Sequence, residues 1–240
     1  MEVFPIAKID RNKVTTPELL ATPIKEPTAT STALKFGAFI MRFARVERRP
    51  RYDEYTRENN AEHSHMVSVV ATELGAMLYR DKLDLGLVSQ FGNAHDFIEA
   101  IVGDTATFHH NQEDMNLKTQ REHASLPQLL AELPPYHASL VIEYEKQEKI
   151  EAIFVRCVDK NLPIIVDILG EGKKVMAEDY GVTTLEQLQE AHRKLHDRVA
   201  ECFKQFPELI EMHRLLCELF QVEFGSTPKH STDRTLEPQG

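Results

Sequence analysis

Four side chains far apart in the sequence have the types that a divalent-metal site uses: His63, the adjacent pair His95 and Asp96, and Asp159. His63 stands four residues before Val67, so on a helix it shares that helix's apolar face and points inward. His95 falls on an apolar stripe one turn before Ile98, with Asp96 at the edge of the buried face, and Asp159 follows Cys157 and Val158 in an otherwise apolar stretch. An ionised carboxylate buried without a partner costs several kcal/mol, so each acid asks for a cation nearby. Two nitrogens and two oxygens make a borderline donor set suited to manganese, cobalt, iron, nickel or zinc, with positions left open for water and substrate. Each residue taken singly has a plainer account. His63 reads as a hydrogen-bonded core histidine, Asp96 as the partner of an arginine such as Arg42 or Arg45, and Asp159 with Lys160 as the solvated last turn of a helix. Three helices each offering an inward imidazole or carboxylate is the harder coincidence.

The elements that must hold these residues are helical, because apolar residues recur three and four positions apart. The first stripe is Phe36, Phe39, Ile40, Phe43 and Val46, stopping before a basic, turn-prone Arg48-Arg49-Pro50-Arg51. The second, Val67 to Leu78, is preceded by Asn59 and Glu62 at capping-box spacing. The third runs from Leu87 through His95 to Val102 with Gly103 as its C-terminal cap, and the fourth, Ile150 to Val158, is to be broken or kinked by Pro163. Two more follow, Leu185 to Cys202 behind a Thr183-to-Glu186 capping box and Leu209 to Leu219. No strand-like alternation is long enough to count. The expectation is an all-α helical bundle over residues 31–224, with a Pro- and Thr-rich N-terminal arm at 1–30 and a polar C-terminal tail at 225–240.

Composition narrows the function classes. The 240 residues are 42% apolar and 28% charged, the balance of a globular chain. The net charge of −10 and the lack of a long basic stripe argue against a polymeric nucleic-acid partner. No apolar run approaches the ~18 residues that span a bilayer, and no basic segment leads into a hydrophobic one at the N-terminus, so neither a membrane partner nor secretion is expected. Cys157, Cys202 and Cys217 sit inside apolar helical patterns and read as reduced core residues of a cytoplasmic protein. The expected partner is a small molecule; assembly into a homo-oligomer stays open.

The ordered set Glu62-His63-Ser64, His95-Asp96-x-x-Glu99, Gly103-Asp104 and a lone Asp159 resembles the HD superfamily of metal-dependent phosphohydrolases. Over about residues 34–224 it looks most like the bacterial 5'-deoxynucleotidases, all-α enzymes that release phosphate from deoxynucleoside monophosphates. The resemblance implies one divalent ion, magnesium now included in the range, held by His63, His95, Asp96 and Asp159. It also implies Glu99 as a catalytic glutamate, Asp104 as a catalytic and substrate-contacting aspartate, and Arg48 as the arginine that meets the substrate phosphate. These roles agree with chemistry: Glu99 lies four residues after His95 and three after Asp96, and a guanidinium suits a phosphate.

The chain also departs from that pattern. Arg49 stands where the deoxynucleotidases place a tryptophan, and the sequence has no tryptophan at all, so selection for deoxyribose does not carry over. A second arginine beside Arg48 would suit a longer phosphate chain, as in the related deoxynucleoside triphosphate hydrolases. Residues 105–110 lack the proline and terminal lysine of the family loop; within them His109 and His110 follow Asp104 closely enough to touch phosphate or act as a general acid. A two-metal HD phosphodiesterase or oxygenase would need further histidines, for which His109, His110, His123 and His137 are available. A silent nucleotide-binding protein of the same fold would lack a ligand or Glu99, and neither is lacking. His192 and His196 have helical ligand spacing but no evident third ligand, and read as core.

Overall fold

The computed structural model describes residues 28–104 and 112–226, with side chains from residue 116 in the second stretch. Helix α1 (Ala29–Phe43) opens on a capping box between Thr28 and Ser31. A two-stranded antiparallel hairpin follows, β1 (Glu47–Arg51) and β2 (Arg57–Asn59), pairing Glu47 with Asn59 and Arg51 with Arg57 across an irregular register. The basic segment read as a turn is therefore strand β1. Its polar side chains carry no apolar alternation, which is why periodicity missed it. The turn itself lies beyond, where Asp53 Oδ1 accepts from the backbone N–H groups of Tyr55 and Thr56.

Helix α2 (Asn60–Leu78) starts at the expected Asn59–Glu62 capping box. Then come α3 (Leu85–Ala94), the one-turn α4 (Glu99–Val102), α5 (Gln112–Glu132), α6 (Pro135–Lys146), α7 (Ile150–Leu169), α8 (Gly172–Tyr180), α9 (Leu185–Cys202) and α10 (Pro207–Gly225). Apart from the hairpin the described chain is helical, as expected. The centre is α7, whose Phe154, Val155, Cys157, Val158 and Leu162 are buried in the main core. It runs through Pro163 without ending, so of the expected break or kink the break does not occur: tertiary burial on both sides of the proline outweighs one lost backbone bond. A smaller core joins the end of α7 to α8, α9 and α10 through Ile164, Met176, Leu188, Cys217 and Phe220.

Three further expectations change. The third stripe is two helices, α3 and α4, separated by turns at 95–98. The cap of α9 is Thr184 with Gln187, one residue later than the Thr183–Glu186 pairing. Cys202 is exposed, whereas Cys157 and Cys217 are buried as expected. Residues 1–27 of the expected arm and 227–240 of the expected tail lie outside the described residues, while α1 already starts at Ala29 and α10 runs to Gly225; no described helix is long and apolar enough to cross a membrane.

Candidate metal centre

The helix of the first histidine is clamped to the helix before the second. A Cβ on Gly92 of α3 would lie 2.5 Å from Ser68 Cα of α2, so only glycine permits this approach. That contact, together with the packing of α7 against both, brings His63, His95 and Asp159 to one point. His63 and His95 are buried and their rings are 5.4 Å apart.

The winding after α3 sets the rest. Backbone bonds from Phe97 to Ala94, Glu99 to Asp96 and Ala100 to Phe97 each span three residues. In such tight turns side chains three apart eclipse, which puts Asp96 and Glu99 on one side although they do not share a helix. Gly103, with φ +76°, then turns the chain so that Asp104 faces the same space.

The four expected ligands offer one donor atom each, all within 4.8 Å of one another. His63 Nε2 lies 2.9 Å from Asp159 Oδ1, and His95 Nε2 lies 3.1 Å from Asp96 Oδ2 and 3.5 Å from Asp159 Oδ1. Donors bonded to one ion at about 2.0–2.3 Å stand roughly 3–4.5 Å apart, so this spread fits. The orphaned atoms argue the same way. His95 Nδ1 donates to the carbonyl of Gly92 at 2.8 Å, which leaves Nε2 as the free lone pair; Nε2 is buried and finds no aligned hydrogen bond among the described residues. Burial would lower the His95 pKa, but Asp96 and Asp159 outweigh it and push it up to about 10. Burial likewise opposes ionisation of the two acids, yet His95 and Arg48 hold Asp96 far below the carboxylate range, and Lys160, His63 and His95 do so for Asp159. A donor set this avid for positive charge suits a divalent cation.

Arg48 stands beside it. Its Nε donates to Glu58 Oε2 at 3.0 Å, and its Nη1 reaches Asp96 Oδ2 at 2.9 Å, Asn60 Oδ1 at 3.3 Å and Glu99 Oε2 at 3.4 Å, with Asp104 Oδ1 at 3.8 Å. Arg48, not Arg42 or Arg45, is thus the arginine of Asp96. Glu99 is buried and accepts from Asn60 Nδ2 at 2.9 Å; burial first, then the charge of Asp96, raises its pKa well above the usual value. Arg49 turns the other way. It is half exposed and meets Asp179 at 3.3 Å, an acid it shares with Arg51 and Arg57, although it still borders the cleft. His110 and His109 lie outside the described residues.

A model of the HD domain matches residues 42–202, about two thirds of the chain. The chain belongs to the HD-domain family. None of the curated proteins compared with it matches. Among solved structures, a predicted metal-dependent phosphohydrolase from Magnetospirillum magnetotacticum MS-1 is 26% identical with a TM-score of 0.60, over 82% of this chain and 97% of that one. The adjacent pair His95 and Asp96 lies within the matched range, in the tight turns after α3.

Sequence reasoning overlooked three side chains of this candidate site. Glu58, fully buried on β2, places Oε2 3.0 Å from Arg48 Nε and 3.3 Å from His63 Nδ1, without an aligned hydrogen bond to the latter. Asn60 bridges Arg48 and Glu99. Lys118 of α5 comes within 3.8 Å of Glu99 Oε1, supplying a cation where residues 105–110 have none. A three-residue strand and a lone lysine on a polar helix give no periodic signal. His123 is exposed, and His137 packs against Phe36 with ring centroids 4.3 Å apart, so neither joins the four-residue cluster.

Proposed function

We propose that this HD-domain protein is a metal-dependent phosphohydrolase that releases phosphate from (deoxy)nucleoside 5'-monophosphates. The observation that carries the reading is the placement of Arg48 against Asp96, Glu99 and Asp104, at the edge of the four-ligand cluster and inside one cleft. A divalent ion held by His63, His95, Asp96 and Asp159 would supply Lewis acidity toward a phosphoryl oxygen and a water of lowered pKa. Arg48 offers donors to the phosphate, which competes with Asp96 for Nη1, and Lys118 adds a second positive charge on the same side. Glu99, fixed by Asn60 and with its pKa raised by burial and by Asp96, stands where it can orient the attacking water or take its proton. Asp104 lies 3.8 Å from Arg48 and orients that guanidinium or a sugar hydroxyl beside it. The resemblance to bacterial 5'-deoxynucleotidases points to the monophosphate, and so does the engagement of Arg49 with Asp179, which leaves Arg48 as the main phosphate clamp.

Product analysis tests this. The purified protein with manganese, cobalt or magnesium is given deoxy- and ribonucleoside mono-, di- and triphosphates. Free phosphate from monophosphates is the expected result. Inorganic triphosphate from a dNTP with inert monophosphates would replace the reading by a triphosphohydrolase, and a second metal equivalent needed for turnover would favour the two-metal chemistry.

A further inference from the structure

The two oxygens of Asp159 have different neighbours. Oδ1 faces the histidines, 2.9 Å from His63 Nε2 and 3.5 Å from His95 Nε2. Oδ2 accepts instead from Lys160 Nζ at 2.7 Å. Asp96 is arranged otherwise, since a single oxygen, Oδ2, lies 3.1 Å from His95 Nε2, 3.8 Å from His63 Nε2 and 2.9 Å from Arg48 Nη1. At Asp159 one oxygen is thus left for an ion while an ammonium takes the other.

Lys160 follows Asp159 on α7, borders the same cleft and keeps 38% of its side chain exposed, so its charge loses little hydration while it holds a buried carboxylate. A charge-assisted bond of this length is among the stronger ones an aspartate makes. The carboxylate cannot swing round to give both oxygens to one ion without surrendering it.

How many oxygens a carboxylate gives bears on which ion is held. Calcium is large, gathers about six to eight ligand oxygens and readily takes both from one carboxylate, whereas smaller ions such as magnesium or cobalt favour compact sites with one oxygen from each. We propose that Lys160 is a positioning residue that selects the ion: by occupying Asp159 Oδ2 it keeps that aspartate to one oxygen at the metal centre and so disfavours calcium against the smaller divalent ions. The inference rests on the four-residue metal centre and is independent of which phosphate ester is cleaved.

The test reads metal binding, not turnover. Calorimetric titration of the chelator-treated full-length protein with cobalt and, separately, with calcium gives a ratio of affinities for each variant. Both ions carry the same charge, so loss of the lysine's own charge shifts the two affinities alike and largely cancels in the ratio. In Lys160→Met the preference for cobalt over calcium is expected to narrow at least about fivefold, whereas Lys160→Arg, which keeps a charged donor, should hold it within about twofold of wild type. A ratio unmoved in Lys160→Met, or narrowed as much in Lys160→Arg, would overturn the proposal. An unmoved ratio with weaker binding of inorganic phosphate to the cobalt-loaded Lys160→Met protein would do so too, and would make Lys160 a phosphate contact. Wild type that binds neither ion would overturn the metal centre and this inference together, so the two failures are told apart.

Discussion

Two groups of histidines, all buried except the half-buried His196, meet different surroundings in this molecule. At the cleft, His63 and His95 meet Asp96 and Asp159. Between α9 and α10, His192, His196 and His213 meet one another, Gln221 and Cys217: His196 Nδ1 is 3.3 Å from His213 Nδ1, and Cys217 Sγ is 3.6 Å from it. The first group gathers positive charge, with His95 pushed up to about 10. In the second, burial lowers His192 and His213 to about 4, and the neighbouring histidines lower His213 further. Burial is common to His63, His95, His192 and His213, so what sets the candidate metal site apart is the carboxylate opposite each imidazole. Helical spacing alone, which His192 and His196 also possess, does not decide.

The sharpest way to break this contrast is to remove a carboxylate. Asp159→Asn should leave the fold intact and reduce divalent-metal affinity at least about 100-fold, more than the 10–100-fold typical of losing an outer partner. Calorimetry with manganese on chelator-treated protein reads it; near-normal affinity would mean that the cluster does not hold the ion. Next in size is Glu99→Ala, for which kcat should fall about 100-fold or more while metal content and nucleotide affinity stay close to wild type. Parallel loss of metal would recast Glu99 as a fifth ligand.

A third, smaller effect tests the support behind His63. Glu58 Oε2 lies 3.3 Å from its Nδ1 without an aligned hydrogen bond, within reach of the contact by which an acid orients a ligating imidazole. Glu58→Gln should weaken metal affinity about 10-fold, and an unchanged affinity would assign Glu58 to Arg48 alone.

These expectations also mark what the sequence discloses. The four clustered residues are legible in the sequence because each sits on or beside an apolar stripe where a polar side chain is out of place, and the helices around them follow from the same stripes. The join between α3 and α4 was not readable, since residues 95–98 keep helical dihedrals at both ends and differ only in bond span. Arg48 was assigned by resemblance; its four polar partners come from β2, α2 and the turns around α4, a convergence that no local pattern encodes. The split between Arg48 and Arg49 was hidden for a simpler reason. Neighbours on a strand point to opposite faces, and the segment had been read as a turn.

The smallest expected effect sharpens the comparison from the other side. His213 is fully buried, its Nε2 has no partner among the described residues, and its pKa in the folded protein is about 4 against the ordinary 6.5. The folded state therefore binds fewer protons than the unfolded chain between these values, so stability is fully present above about pH 6.5 and is lost as pH falls toward 4. The loss attributable to this residue is at most about 3 kcal/mol. His213→Leu removes the titrating group and an unsatisfied nitrogen while filling much of the same volume. At pH 7 its stability should lie within about 1 kcal/mol of wild type, and between pH 6.5 and 4.5 its melting temperature should fall less steeply. The cleft carboxylates do not blur the reading, because both proteins share them: Asp96 and Asp159 are held low, and Glu99 and Asp104, which burial pushes up, contribute equally to each slope. Urea or thermal melts across that range, with metal content measured on each protein, check it. An identical pH slope, or a metal equivalent lost from His213→Leu, would show that the second group of histidines is more than core.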